Sequence, residues 1–334
     1  MAYITLNKNN FFHNLDIIAK QTKSKDKIAL VLKDNAYGHG LLEVATMAKE
    51  YGINKAVVQN YDEAMQIQNF FEYILVLADF PKTFNDKIRY TINDIQNINK
   101  FPKHTKVELK VDTGMHRNGI KMDELQEALK MIAEQELCLE AVFTHHRNAD
   151  ELSGEWFWQN ENFSRVKQEL KALGFNDLRV HSCNSASLER TQNFSEDMAR
   201  VGISAYGCLE LSPAFEDAGF KPVLSLHVER ISLRVLNKGE AIGYGATYIA
   251  EENCVVSNYD FGYGDGFLRQ LSNNFTSPTG KKLVGRISMD NSSFISDEEE
   301  LLIFNDARTI APSAQTIPYE ILTSLKEGLK RKVV

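Results

Sequence analysis

Eight short apolar, β-branched runs alternate with amphipathic stretches through the first two thirds of this chain, which restricts it to folds built from repeated βα units. The candidate strands are Ile28 to Leu32, Lys55 to Val58, Tyr73 to Leu77, Ile88 to Thr91, Lys106 to Val111, Leu139 to Thr144, Leu178 to Ser182 and Met198 to Ile203. Helical patterns such as Leu41 to Glu50, Asp123 to Glu134 and Glu155 to Leu173 lie between them. Eight such units with short links suit an α/β fold closed into a (β/α)8 TIM-type barrel better than a doubly wound open sheet. From about Lys221 the texture changes: Leu224 to Val235 alternates apolar and polar residues, and Gly239, Gly243, Gly262, Gly264, Gly266, Gly280 and Gly285 punctuate short strands. This predicts a C-terminal antiparallel β domain. The expected division is a barrel over residues 8–220 and a β domain over 221–334, joined by the strand-like opening in residues 1–7.

Composition narrows what such a chain binds. With 334 residues, 43% hydrophobic and 25% charged, it has material for a large core and lacks the charge-rich bias of disorder. A net charge of -7 argues against a nucleic-acid partner, because such proteins concentrate positive charge on one face, and leaves a small molecule as the expected ligand. Its 4 cysteines are scattered, without the paired spacing of a zinc site or a disulfide framework. No stretch has the form of a signal peptide or the roughly 18 apolar residues of a membrane span, so a cytoplasmic protein, neither exported nor embedded, is expected.

In a barrel of this kind the reactive groups sit at the C-terminal ends of the strands and in the loops that follow. Lys33 ends an otherwise apolar strand, where a partly desolvated amine has a lowered pKa and can form a Schiff base with an aldehyde; the plainer reading is a lysine marking the strand's end. Asn184-Ser185 and Gly202 follow the last two strands, the usual phosphate position of this architecture, where N–H groups and hydroxyls cradle an anion. His145 and His146 are adjacent, so on a strand they point to opposite faces, and no HxH pair exists among the 8 histidines. No metal site is expected. Three further clusters, Tyr244-Gly245-Ala246-Thr247-Tyr248, Gly262-Tyr263-Gly264-Asp265-Gly266 and Gly285-Arg286-Ile287-Ser288-Met289-Asp290, stand out in the second domain, where each could be only a tight hairpin.

Taken in order, these motifs resemble the alanine racemase family, pyridoxal 5'-phosphate enzymes of barrel plus β domain that interconvert the enantiomers of alanine. The likeness rests on Lys33 to Gly40, Lys110 to Met115, Thr144-His145, His181 to Ala186, Arg200 to Ile203 with Tyr206-Gly207, and the second-domain clusters. It implies that Lys33 forms the cofactor's internal aldimine and that Tyr37, Asn184, Ser185, Gly202 and Ile203 surround its phosphate. Arg200 would face the pyridine nitrogen, and because a guanidinium does not give up its proton the ring becomes a weaker electron sink than one facing a carboxylate. Racemisation by two bases needs Lys33 on one face of Cα and Tyr244, from a partner subunit, on the other. A free tyrosine has a pKa near 10, so such a base needs positive charge nearby. By the same likeness His145 links Tyr244 to Arg200, Arg117 holds the phenolic oxygen, and Lys110 matches a lysine that is carbamylated in many members and orients Arg117. Met289 and Asp290 of the partner approach the substrate carboxylate, and Tyr263 narrows the entrance. The implied protein is a homodimer with composite sites that supplies D-alanine for peptidoglycan.

Two places depart from the family pattern. His146 stands where an apolar residue is common, and it is assigned no role. Near the C-terminus, Glu327 occupies the region where many members place a hydroxyl close to the phosphate; a carboxylate there is repulsive, so either the tail takes another path or the anchor is missing. A racemase acting on serine as well as alanine is the nearest alternative. A decarboxylase is disfavoured by Arg200 and by the lack of a cysteine motif, and a single-barrel cofactor carrier by the second domain.

Overall fold

A computed structural model describes residues 1–334 of the chain. The first strand, β1 (Tyr3–Leu6), leads into a helix, Lys8–Thr22, whose Asn7 side chain caps its start by accepting the Asn10 N–H at 2.9 Å. Phe11, Leu15 and Ile18 recur at helical spacing and are fully buried, each contributing about 1.5–3 kcal/mol of burial. Eight parallel strands follow: β2 (Ile28–Val31), β3 (Lys55–Val58), β4 (Tyr73–Val76), β5 (Ile88–Ile92), β6 (Lys106–Lys110), β7 (Cys138–Phe143), β8 (Arg179–His181) and β9 (Ala199–Val201). Each overlaps one of the expected strands. β2 and β4 are buried along their whole length, as strands covered on both faces must be.

The sheet runs in sequence order from β2 to β8, and β9 pairs with β2, so the barrel is closed except for a seam between β8 and β9. Two backbone bonds span that seam, Asp197 N–H to Val180 O at 3.2 Å and Arg200 N–H to Cys183 O at 2.9 Å. The α-helices are less regular than the strands. No helix separates β4 from β5, and only a 3-10 helix, Ile95–Lys100, separates β5 from β6.

Beyond the barrel the strands become antiparallel: β10 (Leu224–Leu236), β11 (Ala241–Ile242), β12 (Tyr248–Ile249), β13 (Cys254–Tyr259), β14 (Ser292–Ile295) and β15 (Glu300–Phe304), with β16 (Lys330–Val333) closing the chain. β1 is laddered between β10 and β16, antiparallel to the first and parallel to the second. Two short helices, Ala307–Ile310 and Pro318–Thr323, interrupt this region where the sequence suggests only strands. Pro318 at the first helical position explains the second, since the orphan N–H it lacks would have had no partner there.

Candidate active site

The C-terminal mouth of the barrel opens into a cavity of about 870 Å³. Lys33, Tyr37, Lys110, Arg117, His145, Asn184, Ser185, Arg200, Gly202 and Ile203 all line it, each at a strand end or just after one.

Lys33 and Tyr37 are brought to the same cavity by an unusual turn. Asp34, Asn35, Ala36 and Tyr37 have φ of 54°, 54°, 51° and 53°, the left-handed helical region, which costs non-glycine residues about 1–2 kcal/mol each. Long-range bonds hold the turn. Asp34 N–H donates to Glu63 at 2.8 Å, the Asn35 side chain accepts the Leu41 N–H at 2.8 Å, and Arg331 from β16 donates to the Gly38 carbonyl at 3.2 and 2.9 Å. Lys33 Nζ lies 3.7 Å from the Asp34 carboxylate, with its side chain about one third exposed (34%) toward the cavity.

At the opposite wall, Ser185 Oγ accepts the N–H groups of Gly202 at 3.1 Å and Ser204 at 3.3 Å. A Cβ on residue 202 would stand 2.6 Å from the Tyr37 hydroxyl, so only glycine lets this tyrosine reach the backbone cradle. Asn184 lines the cavity, but its side chain is engaged in capping the helix Ser185–Arg190 and in donating to His146 O at 3.2 Å.

The wall is rich in cations, with Lys33, Lys110, Arg117, Arg147 and Arg200 against Asp34, Asp150 and Glu210, which favours an anionic ligand. Burial and the neighbouring Arg200 and Arg117 pull the Lys110 amine down to about 8, so a substantial fraction is neutral near physiological pH. Arg117 makes no hydrogen bond or ion pair within the chain. Burial and the charge of Arg200 likewise hold His145 well below the usual imidazole range. The hydrogen bonds of Arg200 do not go to His145, as the family likeness suggests; they go to the carbonyls of Thr144 (2.6 Å) and Ser182 (3.2 Å) and to His181 Nδ1. His146 is a packing residue, buried with Nδ1 3.1 Å from Ser187 Oγ and its pKa pushed down to about 4 by burial.

Tyr244, Tyr263, Met289 and Asp290 are absent from this cavity. They belong to one edge of the β domain, where Tyr244, Met289 and Tyr263 are 70%, 56% and 44% exposed. The Tyr263 loop is stitched to the Met289 loop: Tyr263 N–H donates to Ser288 O at 3.0 Å and Gly264 N–H to Met289 O at 2.8 Å. A Cβ at Gly262 would lie 2.2 Å from Met289 O, so this approach also needs glycine. Within one chain, therefore, Lys33 and Tyr244 do not meet.

The C-terminal tail takes another path. Glu327 lies outside the cavity, and the strand beyond it pairs with β1. A hydroxyl at this end of the chain does line the cavity, that of Tyr319 on the helix Pro318–Thr323, with its ring 5.9 Å from that of Tyr37. Counting back from the chain end points to the wrong residue; the Pro318 helix start is the local signal that could have found Tyr319.

A barrel with a lysine just beyond its first strand, a cationic wall, a serine–glycine cradle and a β domain behind it has the makings of an enzyme site for a small anionic ligand set against an amine. The family profile "Alanine racemase, N-terminal domain" matches residues 6–210, and "Alanine racemase, C-terminal domain" matches residues 223–333. An alanine racemase of a Nitratiruptor species is 41% identical over 338 residues, covering 99% of both chains. The alanine racemase of Bacillus anthracis, crystallised with bound L-Ala-P, superposes with a TM-score of 0.91 at 28% identity over 100% of this chain and 95% of that one. The enzyme from Bartonella henselae, with covalently bound pyridoxal phosphate, shares the fold at a TM-score of 0.87 and 24% identity, over 100% and 99% of the two chains. The chain belongs to the alanine racemase family, and its reaction class is racemisation, an isomerase activity.

Proposed function

We propose that this protein interconverts L- and D-alanine with pyridoxal 5'-phosphate, as a homodimer with composite sites. The observation that carries the reading is the one cavity in which Lys33, a cationic wall and the Ser185–Gly202 cradle converge. The residues fit this cofactor: the cradle and the Tyr37 and Tyr319 hydroxyls suit a phosphate, and Lys33, held only by a long 3.7 Å ion pair to Asp34, stands at the barrel mouth. When bound, pyridoxal phosphate supplies an aldehyde that condenses with amines and a ring that accepts electron density from the bond broken at Cα.

The chain's own groups supply the rest. Lys33 removes or returns the Cα proton from one face, and the partner subunit's Tyr244 does so from the other. Arg200 offers its ring-facing N–H as a hydrogen bond without giving up a proton. Arg117, free of partners in its own chain, is available to a phenolic or carboxylate oxygen. The dimer reading is supported by the exposure of Tyr244, and by Leu233 and Val235, which share one face of β10 and are left 46% and 59% exposed. On this reading residues 8–220, joined by Tyr319, hold the cofactor, and the rest of residues 221–334 with 1–7 deliver Tyr244, Tyr263, Met289 and Asp290 to the neighbouring site. All four cysteines are unpaired, as a reducing compartment keeps them, which suits the reading of a cytoplasmic enzyme; D-alanine supply for peptidoglycan is what the family likeness implies.

The purified protein should racemise either enantiomer of alanine and show a visible cofactor band that borohydride removes while labelling Lys33. A colourless protein, or label elsewhere, would refute the reading. Tyr319→Phe should weaken cofactor binding by about 0.5–1.5 kcal/mol, one neutral hydrogen bond, measured by titrating the cofactor-stripped protein. Glu327→Tyr should leave it unchanged, because Glu327 lies outside the cavity.

Lys110 is the group for carbamylation, since only a neutral amine attacks carbon dioxide and its pKa is lowered to about 8. The carbamate would give Arg117 an anion to pair with and offset the local excess of positive charge. Protein equilibrated with carbon-13 bicarbonate should show one carbamate resonance by NMR, lost in Lys110→Arg. At constant dissolved carbon dioxide its rate of formation should rise with pH and level off above about 8, where the neutral amine becomes the major form.

A further inference from the structure

One buried carboxylate behind the cavity has no part in the reaction described so far. Glu108 lies two residues before Lys110 on β6, so it points to the same face one step deeper in the barrel, and its side chain is fully buried. Its Oε1 accepts the Tyr73 hydroxyl at 2.5 Å and Arg179 Nη2 at 3.1 Å, while Oε2 lies 2.9 Å from His181 Nε2. The other imidazole nitrogen, Nδ1, faces Arg200 Nη1.

These contacts fix a tautomer. A guanidinium has only donors and an ionised carboxylate only acceptors, so His181 must carry its proton on Nε2 and present a lone pair at Nδ1. Protonation at Nδ1 would set N–H against N–H at Arg200. The Phe143 ring, stacked on His181 with centroids 4.7 Å apart and lying 4.9 Å from the Arg200 guanidinium carbon, holds both planes in place. Arg200 is itself 5% exposed, and its other hydrogen bonds are to the neutral carbonyls of Thr144, His181 and Ser182. Two carboxylates balance this buried cation: Glu196, held by the Ser182 N–H and hydroxyl, and Glu108, whose influence reaches it through the imidazole.

We propose that Glu108 is a positioning residue of the reaction: through His181 it fixes the tautomer that aims Arg200 into the cavity. The inference rests on the reading that Arg200 faces the cofactor ring. It reaches three strands into the barrel, from β6 through β8 to β9, and involves no group that touches substrate. Arg179 and Tyr73 complete the device by occupying Oε1, which reserves Oε2 for His181.

Glu108→Gln is the discriminating variant. Glutamine has one oxygen, and Tyr73 and Arg179 both donate to it, so its NH2 turns toward His181 and demands an acceptor at Nε2. The proton then moves to Nδ1 and the Arg200 contact is lost. Nitrogen-15 NMR of histidine-labelled holoenzyme, with His181 assigned by its loss in His181→Gln, should show Nε2–H in the native protein and Nδ1–H in Glu108→Gln. The visible band of the bound cofactor should shift, and kcat should fall about tenfold with KM changed less than threefold, the loss of one charge-assisted bond expressed only at the ring. A native His181 protonated at Nδ1 overturns the proposal without any variant. So does a Glu108→Gln protein that keeps the native tautomer, band and kcat. A switched tautomer with unchanged band and kcat would instead overturn the placing of Arg200 at the ring, and with it any part for Glu108 in the reaction.

Discussion

Lys33→Ala is expected to abolish racemisation, because one substitution removes both the cofactor's covalent attachment point and the base on one face of Cα. The loss should not be a folding defect. The Lys33 side chain is about one third exposed, its single ion pair to Asp34 is long at 3.7 Å, and the turn that follows is held by Glu63, Leu41 and Arg331 rather than by the amine. Thermal stability should therefore change by only about 0.5 kcal/mol, the usual range for a surface site. The measurement is turnover in both directions on protein whose melting curve matches the native one. Near-normal turnover without added amine would remove Lys33 from the mechanism.

The second large effect belongs to Tyr244. Tyr244→Phe should retain the cofactor yet lower turnover by about 10²- to 10⁴-fold, the usual worth of a positioned general base. Deuterium uptake from solvent should become strongly unequal between the two enantiomers, since only one face loses its base. The same residue tests the composite site. In one chain Tyr244 is 70% exposed and absent from the Lys33 cavity, so in a two-fold dimer each site would join Lys33 of one chain to the partner subunit's Tyr244. When Lys33→Ala and Tyr244→Phe chains are unfolded together and reassembled at equal ratio, about half the dimers should be mixed, each with one intact site and one doubly defective. Activity should return to roughly a quarter of the native value, from half the dimers with half their sites working. If both residues served one chain's own site, the mixture would stay as inactive as the separate variants.

Both experiments depend on features that stand in very different relation to the sequence. The barrel strands are legible because burial on two faces imposes short apolar runs, and β2 and β4 have no exposed position to blur the pattern. The glycine clusters of the β domain are legible for a related reason: Gly262 admits no Cβ against Met289 O, so the requirement is written into a single position. Lys33, Lys110, Ser185, Arg200 and Gly202 follow from being at strand ends, which any closed barrel gathers at one mouth.

What the tertiary structure alone decides concerns contacts between distant segments and conformations that local preference opposes. Four consecutive non-glycine residues after Lys33 take left-handed φ, against their own propensity, because Glu63, Leu41 and Arg331 supply hydrogen bonds that no local rule contains. Tyr319 reaches the cavity, and Glu327 does not, because a short helix carries the first inward while the tail beyond the second is drawn into a ladder with β1. Glu108 reads in the sequence as one polar residue in a strand; only the closure of the barrel turns it inward beside His181, two strands away, and so behind Arg200. Periodicity and spacing are short-range properties and survive in a string of letters, whereas the partner of a buried charge is fixed by which side chains barrel closure turns toward one another from separate strands.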